Sequence, residues 1–133
     1  MATQPTPGAR PRRILVIDDT PEISELLTFA LRDHGFEVYA SGFAHSVNDL
    51  VAEQRADAVV IDCSIYNMSE TIFDALRDDE NLAALPVVII SDTPEIADKS
   101  LRQRNAQHVL LIPKPFTGSQ VARALKELLA AGV

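Results

Sequence analysis

Ala58-Val59-Val60-Ile61-Asp62 is the stretch whose reading decides the fold. Four apolar residues run into one carboxylate, and polar loop residues follow at once. A short run rich in valine and isoleucine fits a central strand of a parallel sheet covered on both faces. Such a strand has no reason to end in a charge unless that end opens into a site. In open α/β sheets, ligands sit just beyond the carboxyl ends of the strands, where the winding reverses. Asp62 is therefore the candidate reactive residue, and every other segment can be asked what it brings to the same rim.

Upstream, Arg13-Ile14-Leu15-Val16-Ile17 gives a second apolar run, ending in Asp18-Asp19. Thr20 follows as expected helix cap, with Pro21 at the first helical position and Glu22 in the first turn. Ile23, Leu26, Leu27, Ala30 and Leu31 recur at helical spacing, and Gly35 suits the C-terminal cap. The unit then repeats. Phe36 to Ala40 reads as the second strand, and Val47, Leu50 and Val51 as the inner stripe of the second helix. Asp57 begins the third strand, and residues 63–70 form the loop behind Asp62. Ile72, Phe73, Leu76 and Ala83 mark a third helix, with Asp78-Asp79-Glu80 on its exposed side.

Downstream, Pro86-Val87-Val88-Ile89-Ile90 is the fourth strand, ending in Ser91-Asp92. Thr93-Pro94-Glu95 starts a fourth helix by the same cap logic, with a thin apolar face of Ile96 and Leu101. His108 to Ile112 is the fifth strand, followed by Pro113-Lys114-Pro115. Thr117 and Gln120 form a capping box ahead of Val121, Leu125, Leu128 and Leu129 in the last helix. Strands alternating with helices imply right-handed crossovers and a parallel sheet. The expected fold is α/β: a doubly wound, five-stranded parallel sheet in the order 2-1-3-4-5 with five helices, flavodoxin-like. Residues 13–131 form the expected domain, and residues 1–12, rich in proline and small polar residues, an expected disordered tail.

The chain has 133 residues, 47% of them apolar, which is enough to bury a core. Its single cysteine, Cys63, precludes an internal disulfide and suits a reducing compartment. No apolar run is long enough to span a bilayer and the start lacks a hydrophobic signal core, so a cytoplasmic protein away from membranes is expected. The net charge is −7, and setting aside Arg10, Arg12 and Arg13 leaves the remainder at −10. A body that acidic repels nucleic-acid phosphates, which argues against direct nucleic-acid binding. The three arginines themselves read as a solvated flank of the first strand.

Four strands end in polar groups: Asp18 and Asp19, Asp62, Ser91, and Lys114. The fold sets the first and third strands side by side, so three carboxylates should meet there. Bare carboxylates a few ångströms apart repel by several kcal/mol in a partly buried site, and such a cluster persists when a hard cation or protons neutralise it. Oxygen ligands in a small open site favour Mg²⁺, which takes its remaining positions from water and phosphate. Lys114 then binds a phosphate oxygen as a point charge, and the Ser91 hydroxyl donates to another. Together these groups suit phosphoryl transfer, where the protein mainly positions and neutralises charge. Singly, each reads more plainly: a strand-end aspartate as a turn former, Ser91 as a loop residue, Lys114 as a surface charge. Their joint occurrence at strand ends carries the functional reading.

The chain resembles a response-regulator receiver domain of two-component signalling, of the single-domain chemotaxis type, over residues 13–131. The matching motifs are Val16-Ile17-Asp18-Asp19, Val60-Ile61-Asp62, Ile90-Ser91 and Lys114-Pro115-Phe116. The resemblance implies that Asp62 accepts a phosphoryl group from a sensor histidine kinase or phosphotransfer protein. It implies that Asp18, Asp19 and Asp62 hold Mg²⁺ with the backbone carbonyl of Ser64, and that Ser91 and Lys114 bind the phosphoryl group. It also implies a cis Lys114-Pro115 peptide, and catalysis of nothing beyond its own phosphorylation and dephosphorylation. Output is then expected through a downstream protein on the face of the fourth helix, fifth strand and fifth helix, from a monomer or weak dimer.

Four positions depart from the pattern. Tyr66 and Glu70 stand where receivers usually carry proline and glycine, so the loop over the site should follow another path. Asp92 replaces a usually tiny residue and puts a fourth acid beside the acceptor. Leu111 occupies the place of the usual switch Tyr or Phe, so the coupling of hydroxyl movement to ring movement lacks its ring. An atypical receiver acting as a phosphorylation-independent interaction module is the alternative these positions favour. A Mg²⁺-dependent phosphohydrolase is a third reading, but it needs a general acid and a substrate lid for which the chain has no room. Cys63 is expected to point away from the site as a buried filler. His34, His45 and His108 lack metal-ligand spacing, and Arg102 and Arg104 on the fourth helix suit a partner surface or, equally well, a solvated face.

Overall fold

A computed structural model of the chain describes residues 10–42, 46–62 and 68–131. The elements are β1 (Arg13–Asp18), α1 (Pro21–Asp33), β2 (Glu37–Ser41), α2 (Val47–Gln54), β3 (Ala58–Asp62), α3 (Met68–Asp78), a 3₁₀ turn (Glu80–Leu82), β4 (Val87–Ser91), α4 (Pro94–Gln103), β5 (Val109–Pro113) and α5 (Gly118–Ala131). The five strands are all parallel, in the order β2-β1-β3-β4-β5. This is the expected doubly wound sheet. Among the described residues no helix is long and apolar enough to cross a membrane.

Strand alternation splits the core in two. Ile14, Val16, Ala58, Val60, Val88 and Ile90 face α1 and α5, meeting Leu27, Leu31, Val121 and Leu125. Leu15, Ile17, Val59, Ile61, Val87 and Ile89 face the other way, onto Val47, Leu50, Val51, Ile72, Phe73 and Leu76. All five residues of β3 are buried, including its terminal carboxylate. That is why the sequence of this strand is apolar throughout rather than alternating.

Several local expectations shift. β2 runs from Glu37 to Ser41 rather than Phe36 to Ala40, because Phe36 sits inside the α1–α5 core layer. In α1 the inner stripe is narrower than expected: Leu27 and Leu31 are buried, whereas Leu26 is 46% exposed and Phe29 82% exposed. Ala83 is exposed and lies beyond α3, which stops at Asp78. Asp79 leaves that helix to cap the 3₁₀ turn through Asn81 N–H. The Arg77 guanidinium packs over the Phe73 ring and donates to the carbonyls of Leu82, Gln107 and His108, tying the turn to the start of β5.

The N-terminal arginines are not uniformly solvated. The Asp57 carboxylate accepts from the Arg13 backbone at 2.7 Å and from both terminal nitrogens of Arg10 at 3.1 Å, and Arg13 pairs with Glu37. Arg104 likewise does more than decorate a helix. It bonds Asp74 with two nitrogens and approaches Glu70, clasping the end of α4 to α3. Arg102 keeps to its own helix, pairing with Asp98. His34 and His108 are exposed, while the expectations for Cys63, Ser64, Tyr66, His45 and the first nine residues lie outside the described residues.

Candidate functional site

β1 and β3 pair with Asp18 directly opposite Asp62, so the register itself puts two carboxylates side by side at the end of the sheet. Both are buried, at 6% and 1% exposure. One oxygen of Asp18 accepts the Thr20 backbone N–H at 2.6 Å, which turns the chain into α1. One oxygen of Asp62 accepts from the Lys114 ammonium at 2.8 Å. The second oxygen of each, Oδ2, is buried without any hydrogen-bond donor. Orphaned buried carboxylate oxygens are costly, and two at neighbouring positions call for a cation or a proton.

The electrostatics agree. Burial raises the Asp18 carboxyl to about 6; the Thr20 N–H bond opposes this, and the charges of Asp62 and Asp19 add to it. Burial likewise raises Asp62, against the hydrogen bond and charge of Lys114. For Lys114, burial lowers the ammonium, but its bond to Asp62 and the charges of Asp62, Asp92 and Asp18 outweigh burial and leave it raised. Asp19 is close enough for its charge to be felt at both buried acids, and its carboxylate accepts from the Thr20 hydroxyl at 3.3 Å. Among the described residues, no three acid, thiol or imidazole groups gather closely enough to hold a metal ion by themselves. Ser64, the expected backbone ligand, lies outside them.

Ser91 ends β4 beside the β5 terminus, and the Lys114 backbone N–H donates to the Ser91 carbonyl at 2.9 Å. The Ser91 hydroxyl oxygen accepts the Thr93 N–H at 3.0 Å. Thr20 and Thr93 occupy the N-cap positions of their helices, but neither side chain caps. The Lys114-Pro115 peptide is cis. The contact that sequence reasoning missed is on Asp92, whose Oδ2 lies 3.6 Å from the Lys114 ammonium. Leu111 is half-buried and packs, like Leu101 and Ala106, against the core layer that holds Val47, Leu50 and Phe73.

Comparison with known proteins gives one consistent family. The profile described as response regulator receiver domain matches residues 14–126. A probable transcriptional regulatory protein, TcrX, of Mycobacterium tuberculosis is 29% identical over 121 residues, covering 90% of this chain and 50% of that protein. The DNA-binding response regulator MtrA of Mycolicibacterium smegmatis is 31% identical over 86 residues, covering 64% of this chain and 38% of its own. The chain thus spans about half the length or less of these curated relatives. Among solved structures, a sensor protein from Polaromonas sp. JS666 superposes with a TM-score of 0.80 at 24% identity, covering 94% of this chain and 100% of that one. A putative response regulator from Chloroflexus aurantiacus gives 0.78 at 21%, covering 91% and 99%. These two structures speak for the fold.

Proposed function

The chain belongs to the response regulator receiver domain family, and from that membership we propose that it accepts a phosphoryl group on Asp62 from a sensor histidine kinase or a phosphotransfer histidine. The observation that carries the proposal is the Lys114 ammonium 2.8 Å from Asp62 Oδ1, beside two buried carboxylate oxygens without donors. In the proposed reaction a free Asp62 oxygen attacks phosphorus in line with the departing histidine nitrogen. The phosphorus–nitrogen bond breaks, the nitrogen keeps the electron pair and takes up a proton, and Asp62 becomes an acyl phosphate. Lys114 and the Ser91 hydroxyl donate to the phosphoryl oxygens. Later attack by water on phosphorus releases inorganic phosphate and restores the carboxylate.

The orphaned oxygens fit a hard divalent cation. In this proposal Asp18, Asp19 and Asp62 would draw together around Mg²⁺, with the Ser64 carbonyl as backbone ligand, since as they stand the three acids are not gathered closely enough to hold it. When bound, it neutralises the acids and the phosphoryl charge. The reaction is the domain's own modification and its reversal, not turnover of a free substrate. The signal is then passed, in this reading, to a protein partner on the face of α4, β5 and α5, in the cytoplasm and without nucleic-acid or membrane contact of its own. The absence of an aromatic ring at Leu111 favours the second reading, a module whose partner contacts do not depend on phosphorylation.

One experiment separates the two. The protein is incubated with Mg²⁺ and acetyl phosphate and its intact mass recorded. One added phosphoryl group, lost in Asp62→Ala and lost on chelating the metal, is the expected result. An unmodified wild-type chain would leave only the second reading.

A further inference from the structure

Asp62, Lys114 and Asp92 form a row from the interior outward. Side-chain exposure rises along it from 2% to 24% to 59%. The ammonium carries three N–H donors. It makes a short bond to Asp62 at 2.8 Å, whereas Asp92 at 3.6 Å is beyond hydrogen-bond range but within ion-pair range. Asp92 is thus a loose, water-exposed second anion on the one ammonium that holds the acceptor. It stands on the solvent side of that ammonium, nearer the bulk than Asp62.

We propose that Asp92 is a positioning residue that competes with the incoming phosphoryl group for Lys114 and so selects among phosphoryl donors by charge. This rests on Asp62 being the acceptor. A donor whose phosphoryl group carries two uncompensated negative charges meets the charge of Asp92 at the ammonium it has to reach. A donor whose leaving nitrogen bears a positive charge partly cancels that repulsion. The site therefore discriminates against acyl phosphates in favour of nitrogen-linked phosphoryl groups. The sequence position alone gives an acid near the site; the shared ammonium turns it into a competitor.

The test compares initial rates of Asp62 phosphorylation by acetyl phosphate and by phosphoramidate, with Mg²⁺, in the full chain and in Asp92→Asn and Asp92→Glu. Asparagine keeps the shape and removes the charge at an exposed position, so the fold is retained; matched melting curves check this. Asp92→Asn should raise the acetyl phosphate rate about two- to fivefold, the range expected for an exposed charge pair, and the phosphoramidate rate by less. The difference between the variants should shrink in about 1 M salt. Asp92→Glu should restore the wild-type preference, a rescue that a purely structural role would not give. A wild-type chain that is modified while Asp92→Asn leaves the donor ratio unchanged, or slows acetyl phosphate, overturns the inference and leaves Asp62 as acceptor. If neither chain is modified at Asp62, both readings fall. Modification of Asp92→Asn alone would support both.

Discussion

Asp18 carries a clear cost at the rim. Its carboxyl is raised to about 6 from an ordinary value of 3.8, mainly by burial. A carboxyl with a raised folded-state pKa holds its proton more tightly than the unfolded chain does. Without metal, stability from this group is therefore lowest above about pH 6 and is recovered as pH falls toward 3.8. The shift corresponds to at most about 3 kcal/mol. In chelator, Asp18→Asn should raise the urea midpoint at pH 7.5 by the equivalent of about 1–3 kcal/mol, and its advantage should vanish near pH 4. Mg²⁺ should stabilise the wild type above about pH 6, with protons displacing it below. A variant that melts like wild type at every pH would refute this account. At this scale the sequence showed which groups reach the rim, because strand ends are readable from apolar runs. It did not show which oxygens are orphaned, or that Asp92 reaches Lys114, because those depend on side-chain distances between strands far apart in the chain.

Helix starts show the same division between local and distant information. The Thr117–Gln120 capping box forms as read: the Thr117 N–H donates to the Gln120 side chain at 2.8 Å, and the Gln120 N–H to the Thr117 hydroxyl at 3.2 Å. Both partners lie within one turn, so spacing alone is sufficient. Thr20 and Thr93 fail as caps because a site residue two positions earlier turns the chain instead. Asp18 accepts the Thr20 N–H, and Ser91 accepts the Thr93 N–H. These two side chains therefore hold the backbone at the helix starts, whatever they do in the proposed site. Thr117→Val should cost about 1 kcal/mol in chemical denaturation, whereas Thr93→Val should stay within about 0.5 kcal/mol. Equal losses in the two variants would contradict the assignment. The end of α3 differs from its periodicity for a related reason: the chain leaves the helix at Asp78, and Arg77 then fastens the following turn through carbonyls that no periodicity reports.

For the molecule as a whole, the alternation of apolar strand runs with helical periodicity was enough to give a parallel sheet wound on both faces, whereas the order 2-1-3-4-5 needed the flavodoxin-like resemblance, since alternation alone also admits 3-2-1-4-5. The pairing of residues across the two core layers followed from that order and from the two-residue period of the strands. What it could not give is how closely the helices approach. A Cβ placed on Gly118 would collide with the Cβ of Ala30, so the start of α5 lies directly against α1. Gly118→Ala should then destabilise the domain by about 1–3 kcal/mol, the usual range for overpacking, as measured by its urea midpoint. An unchanged midpoint would mean that the two helices part without resistance.

The same contact bears on how anything is transmitted across this side of the protein. With Gly118 and Ala30 too close for a further Cβ between them, the first turn of the last helix has no room to move toward α1. In the proposed reading, an event at Asp62 would leave through the loops that hold Ser91, Asp92 and Lys114, with the start of α5 serving as an abutment.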